Sequence, residues 1–67
     1  MTKAEKKLQA ANLRFLAANQ RARAAGYRHQ ATHPAYPGQD LICLSKADEI
    51  AALVARSEAE ADLLDAS

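Results

Sequence analysis

Three side chains of the types that bind metals or act as nucleophiles lie in the middle of the sequence. His29 and His33 are four residues apart, and Cys43, the single cysteine, follows ten residues later. A structural zinc site needs four ligands, usually in closely spaced pairs, and a cysteine nucleophile needs an adjacent base and an orienting group. The two glycines are also too few for most phosphate-binding loops. We therefore expect no metal, no cofactor, no small-molecule substrate and no catalysis, with the histidines in a loop and Cys43 buried as a small apolar residue.

Basic side chains follow one edge of the first predicted helix, at steps of mainly four and seven residues. Such a row could contact the phosphates of a nucleic acid. No helix-turn-helix spacing accompanies it, and the acidic second half of the chain would repel the same phosphates. Nucleic-acid binding is therefore an alternative function rather than the favoured one. The row consists of Lys3, Lys7, Arg14, Arg21 and Arg28.

The two halves of the chain carry opposite charge although the whole chain has a net charge of only +1. Residues 1–28 sum to +6 and residues 29–67 to −5. Antiparallel packing of the halves, within one chain or between two chains, would set opposite charges side by side. Exposed ion pairs of this kind select an orientation more than they supply stability.

A second candidate site is a proline-rich segment that holds an aromatic side chain. Tyr36 lies between Pro34 and Pro37, so its backbone has little entropy left to lose on binding, and tyrosine and arginine are enriched at binding hot spots. Tyr36 could equally cover the gap between two helices, and single exposed leucines are ordinary on protein surfaces. The candidate partner-binding residues are Leu13, Arg14, Leu16, Arg21 and Tyr36.

The first positioning element is a helix predicted over residues 2–25, a stretch without glycine or proline. Thr2 with Glu5 three residues later resembles a capping box, and Gly26 stands where a C-terminal cap is expected. A stripe at alternating four- and three-residue steps predicts the face that packs on another helix. That predicted seam is Ala4, Leu8, Ala11, Phe15, Ala18, Ala22 and Ala25. Leu13 and Leu16 fall on the opposite side, so one core cannot cover both faces and one face is left over.

The middle segment, residues 26–44, has two readings. It is either an ordered linker with an extended Leu41–Leu44 segment, which we favour, or a short β-hairpin that would give an αββα order. Ser45 with acids at positions 48 and 49 predicts the start of a second helix over 46–57, continuing less securely to 64. We expect residues 65–67 to be disordered.

The chain is poor in bulky apolar side chains. Alanine accounts for 17 of its 33 hydrophobic residues, which leaves twelve Leu, Ile, Val and Phe, below one fifth of the 67 residues. A small core without disulfides or metals usually needs another stabilising contact. The sequence therefore predicts one small, mainly α, helix–loop–helix domain completed by homodimerisation. The candidate self-association residues are Leu8, Phe15, Ile50, Leu53 and Val54.

These observations favour a binding function. We expect a small cytoplasmic protein that acts as an inhibitor or adaptor of a larger protein, of the kind found among accessory proteins of phages and mobile elements. No stretch approaches the length and apolarity of a membrane span. Besides nucleic-acid binding, a further alternative is a structural subunit of a larger, phage-type assembly, which would form a fixed oligomer above a dimer.

Overall fold

The computed structural model describes all 67 residues, Met1–Ser67, as two antiparallel helices. Helix α1 spans Lys3–Ala31 and helix α2 spans Gln39–Ala66, with residues 32–38 between them. The Cα atoms extend 51 Å along the long axis and only 13 and 12 Å across it. The predicted helical hairpin is confirmed, whereas the β-hairpin alternative is wrong because the structure contains no strand.

Helix α1 begins as the sequence predicts but ends later. The Thr2 hydroxyl accepts the Glu5 backbone N–H at 3.1 Å, as the capping pattern requires. Gly26 does not end the helix, which continues through it to Ala31. The extension lets Tyr27 pack on the core and Ala31 become half-buried, and these contacts offset the roughly 1 kcal/mol that glycine costs inside a helix.

Helix α2 begins earlier than predicted. Its N-cap is Gly38, with φ of 91° in the left-handed region that favours glycine. Ser45 therefore lies inside the helix rather than at its start. The segment Leu41–Leu44, expected to be extended, forms the first turns of α2, since a short apolar run fits a helix as well as a strand. The helix also continues past Ser57 to Ala66, so the expected disorder from residue 65 is not observed.

The seam between the helices differs from the predicted one on α1. The buried residues of α1 are Ala10, Ala17 and Ala24, spaced by seven, and the half-buried Leu13 and Tyr27 lie between and beyond them. The predicted seam is exposed along its whole length. One face of α1 is left uncovered, as expected, but it is the face predicted to form the seam, and the opposite face packs on α2. We call this exposed set the outer stripe: Ala4, Leu8, Ala11, Phe15, Ala18, Ala22 and Ala25.

Helix α2 packs on α1 through two of its three predicted self-association residues. Ile50 and Val54 are buried and pack with Ala17, Ala24 and Ala47 in the central cluster. Leu53 was expected to share this face but is 49% exposed, because it is one residue, or about 100° of helix rotation, away from Val54. The buried residues of α2 are Cys43, Ala47, Ile50, Val54 and Ala61.

The core that results is thin. Only eight of the 67 residues are buried, and Ile50 and Val54 are the only ones among them with branched aliphatic side chains. Alanine on both helices permits close approach of the backbones but removes little apolar area from water. This observation agrees with the predicted shortage of core. Neither helix contains a stretch long and apolar enough to cross a membrane.

Candidate functional site

One edge of the hairpin is a row of ion pairs between the helices. The Arg14 guanidinium lies 3.1 Å from an Asp62 carboxylate oxygen and 2.5 Å from one of Asp65. Seven residues, or about two helical turns, further along α1, Arg21 contacts the Glu58 carboxylate. Hydrogen bonding to Asp65 and then to Asp62 raises the pKa of Arg14, and hydrogen bonding to Glu58 raises the pKa of Arg21. These pairs agree with the antiparallel orientation that the short connection of residues 32–38 imposes on the two helices.

The opposite charges of the two halves meet within the chain at its open end as well. Lys3, Lys6 and Lys7 line a shallow depression beside residues 64–67 of α2. Helix α2 has no basic residue of its own in its last turn. Because the C-terminal end of a helix carries partial negative charge, the lysines of α1 supply the complementary charge there. Basic residues of α1 therefore lie beside acidic residues and the C-terminal end of α2 within one chain.

These contacts assign several of the predicted partner-binding residues to the hairpin's own packing. Arg14 and Arg21 form ion pairs with α2, and Leu13 is half-buried beside the seam. Leu16 is exposed. Arg14 precedes the end of α1 by 17 residues, which places it about 26 Å from the loop that carries Tyr36. The structure therefore does not bring the arginines and Tyr36 into one surface.

The predicted self-association residues are also divided between different surfaces. Ile50 and Val54 belong to the internal core, and Leu53 lies beside it, half-exposed. Leu8 and Phe15 lie on the outer stripe, where they are 64% and 71% exposed. Only these last two remain fully free to contact another chain.

The loop between the helices is held by its own hydrogen bonds. The Thr32 hydroxyl donates to the His29 carbonyl oxygen at 2.6 Å, and the Ala35 N–H donates to the side-chain oxygen of Gln39. At the far side, the Gln39 N–H donates to the Tyr36 carbonyl oxygen at 3.2 Å. With two prolines as well, the loop presents Tyr36 from a constrained backbone.

Four large apolar side chains are exposed at this end of the molecule. Tyr36 is 52% exposed, and the three others surround the first turns of α2 on the sides that do not face α1. We call this set the hairpin tip: Tyr36, Leu41, Ile42 and Leu44. Sequence reasoning identified Tyr36 but missed the other three, because it treated Leu41–Leu44 as one extended segment. The spacing of Cys43, Ala47, Ile50 and Val54, at steps of four, three and four, was the signal for a helix.

The two histidines and Cys43 lie near the tip without forming a metal site. Both histidines were predicted to lie in a loop, but only His33 does, because α1 continues through His29 to Ala31. The rings of His29 and His33 have centroids 6.0 Å apart, and the buried Cys43 thiol lies 3.8 Å from the side-chain oxygen of Gln30. The structure contains no group of three or more histidine, cysteine, aspartate or glutamate side chains placed to hold a metal ion. The expectation that Cys43 is a buried apolar residue is confirmed.

An open groove of about 440 Å³ runs along the ion-paired edge. Its floor is Ala24, Ala51 and Val54, and its polar rim is the Arg21–Glu58 pair with Arg28. Arg21 and Glu58 neutralise each other, and no buried side-chain nitrogen or oxygen atom lacks a hydrogen-bond partner. The groove therefore lacks the convergent polar groups of a small-molecule site.

Comparison with known proteins gives no further assignment. No protein-family model, no curated protein and no solved structure matches this chain.

Proposed function

We propose that this chain is a small non-enzymatic protein-binding module, an inhibitor or adaptor, that contacts a larger protein through the hairpin tip. The observation that supports the proposal is the exposure of Tyr36, Leu41, Ile42 and Leu44 at one end of a chain that has few bulky apolar side chains. Of the ten large hydrophobic residues that are exposed, four lie within residues 36–44.

The loop geometry favours binding through the tip. Hydrogen bonds at Thr32, Ala35 and Gln39 hold the backbone, so few degrees of freedom are lost when Tyr36 is immobilised in a complex. Pre-ordered segments bind more tightly because association then costs less conformational entropy. A tyrosine in such a loop has the properties of an interface anchor.

The near absence of charged residues at the tip favours a partner surface that is mainly apolar. Asp40 is the only acidic residue between positions 32 and 45, and the same segment contains no lysine or arginine. An apolar groove with a hydrogen-bond acceptor for the Tyr36 hydroxyl fits this tip better than a charged surface. Residues Leu41 and Leu44 would enter such a groove from one side of α2 and Ile42 from the other.

The proposal is tested by affinity capture with a matched pair of variants. Leu41→Asp places a charge in the tip, and Leu63→Asp places the same charge at the far end of α2, where the leucine is equally exposed at 72% compared with 69%. We expect a protein that wild type captures from a host lysate to be lost with Leu41→Asp and with Tyr36→Ala. The same protein should be retained by Leu63→Asp.

Circular dichroism of each variant provides the control for folding, because all three positions are exposed and helix content should not change. Retention of the captured protein by both tip variants, or its equal loss with Leu63→Asp, would remove the tip from the binding surface. Arg14→Glu is unsuitable as a binding test, since Arg14 contacts Asp62 and Asp65 and its reversal disturbs the hairpin itself.

The nucleic-acid alternative has less support from the arrangement of charges. Of the predicted row, Arg14 and Arg21 are paired with carboxylates of α2, and Lys3 and Lys7 lie beside its last turn. Phosphate contacts there would have to displace or approach acidic side chains. Retention on an oligonucleotide at low salt that falls steeply as salt increases would favour this alternative over the tip.

A further inference from the structure

The outer stripe of α1 is an apolar surface that the hairpin does not use. Leu8 and Phe15 lie about 160–180° around the helix from Ala17, at 100° per residue, so they face away from α2. They are 64% and 71% exposed. The other members of the stripe, five alanines, are exposed too. Alternating four- and three-residue steps over three heptads are typical of a surface that packs on another helix.

We propose that the outer stripe binds the same stripe of a second copy of this chain, with the two α1 helices antiparallel about a two-fold axis. The proposal concerns a surface separate from the hairpin tip and does not depend on the partner of the tip.

The distribution of side-chain size along the stripe selects the antiparallel arrangement. Its bulky members, Leu8 and Phe15, lie in the first part, and its last three members, from Ala18 to Ala25, are all alanine. Antiparallel pairing near residue 15 places Leu8 of one copy against the alanines of the other and brings the two Phe15 side chains together near the two-fold axis, flanked by Ala11 and Ala18. Parallel pairing would place bulky against bulky and alanine against alanine, which leaves gaps in the second half.

The flanks of the stripe are compatible with this arrangement. About a two-fold axis, each flank meets its own counterpart. On one flank, Asn12 of one copy would lie near Asn19 of the second copy, where their side-chain amides can exchange hydrogen bonds. The other flank carries four basic residues at seven-residue steps, Lys7, Arg14, Arg21 and Arg28. Arg14 and Arg21, which would meet near the centre, are paired with carboxylates of their own chain, so the repulsion between the two flanks is reduced there and is confined to Lys7 and Arg28 at the ends of the interface.

The surface area of the single chain is consistent with one further interface. A folded monomer of 7.2 kDa is expected to expose about 4,100 Å², whereas this hairpin exposes 4869 Å². The excess of about 800 Å² follows from the elongated shape of 51 × 13 × 12 Å, and pairing of two copies along α1 would remove part of it from water. The radius of gyration agrees, since 15.4 Å exceeds the roughly 11 Å expected for a compact chain of 67 residues.

The resulting dimer is a four-helix assembly whose two hairpin tips point in opposite directions. With the helices crossing near residue 15, each tip lies about 30 Å from the centre, at 1.5 Å per residue. The dimer would thus present two copies of the tip about 60 Å apart, an arrangement suited to joining two target molecules.

Sedimentation equilibrium tests whether the outer stripe forms the dimer interface. We expect wild type to have twice the chain mass of 7.2 kDa, and Phe15→Glu to weaken the dimer at least about tenfold, the effect of about 1.4 kcal/mol. Leu63→Glu, an equally exposed control on α2, should leave the dimer intact. A wild-type mass of one chain at the highest concentration, an unaltered dimer in Phe15→Glu, or equal loss in Leu63→Glu would each overturn the proposal. A wild-type mass above that of a dimer would do so too and would favour the assembly-subunit alternative.

Cross-linking tests the orientation without placing a charge in the interface, so it remains informative if Phe15→Glu does not fold. In a Cys43→Ala background, Ala4→Cys and Ala25→Cys would lie near each other across an antiparallel pair, whereas two copies of the same variant would hold their thiols about 30 Å apart. A short bismaleimide reagent added to a mixture of the two variants should therefore produce mainly mixed dimers. A predominance of links between identical variants would exclude the antiparallel arrangement.

Discussion

Replacement of Ile50 by alanine tests whether the thin seam carries the stability of the hairpin. Ile50 is 8% exposed and packs in the central cluster with Val54 and three alanines. The substitution removes three buried carbons, which at about 0.8 kcal/mol each amounts to roughly 2.4 kcal/mol of transfer free energy. The higher helix propensity of alanine returns about 0.4 kcal/mol. A core only two helices wide can collapse onto the gap, so the added cavity term should be small.

We therefore expect Ile50→Ala to lower the free energy of unfolding by about 2 kcal/mol. The measurement is urea denaturation followed by circular dichroism at a fixed protein concentration. For a chain of this size, with a slope near 1 kcal/mol per molar urea, the midpoint should fall by about 2 M. If Ile50→Ala is too unstable to show a folded baseline, Ile50→Val should give a smaller loss of about 1 kcal/mol.

The matched control is Leu53→Ala, three residues further along the same helix. It removes the same number of carbons, but Leu53 is 49% exposed, so the expected loss is about 1 kcal/mol or less. An equal or greater loss for Leu53→Ala would show that the seam does not follow the face that contains Ile50 and Val54. The assigned packing of α2 on α1 would then be wrong.

Two further perturbations concern the charged edge and the buried thiol. Arg21→Glu should lower the urea midpoint, because it places a second carboxylate opposite Glu58, and adding Glu58→Arg should restore most of the loss by exchanging the two charges. The difference between the single and double variants should shrink in about 1 M salt, where charges are screened beyond about 3 Å; a double variant no better than the single one would show that the pair does not orient the helices. The Cys43 thiol, 4% exposed, should react with a disulfide reagent at least about tenfold more slowly in the folded protein than in urea, since reaction requires local opening. Equal rates in the two conditions would mean that the start of α2 is not packed on α1.

Several features of the hairpin followed from the sequence because they depend on local chemistry. The Thr2 cap is set by residues three apart, and helix formation in both halves by alanine-rich composition. The opposite charges of the two halves were also readable from the sequence, and they indicated that antiparallel packing could set opposite charges side by side. The division of Leu8, Phe15 and Leu13 onto opposite sides of α1 was predictable from the 100° rotation per residue.

Which of the two stripes of α1 would be buried was not predictable in the same way. Both have four- and three-residue spacing, and the outer stripe contains the larger side chains Leu8 and Phe15, so hydrophobicity alone selected it. The structure buries the stripe of Ala10, Ala17 and Ala24 instead, where small side chains bring the helices close and leave room for Ile50 and Val54 from α2. The choice depends on the shape of the partner face, which no local pattern of α1 contains.

The same reason explains the tip and the charged edge. The sequence by itself determined two helices, their charges and a constrained loop, since each arises from interactions among neighbours in the chain. Only the tertiary structure decided that Arg14 and Arg21 pair with carboxylates 37 to 51 positions away, and that Leu41, Ile42 and Leu44 are exposed around α2. Contacts between distant residues depend on how one helix is rotated against the other, and that rotation is fixed by packing both helices together.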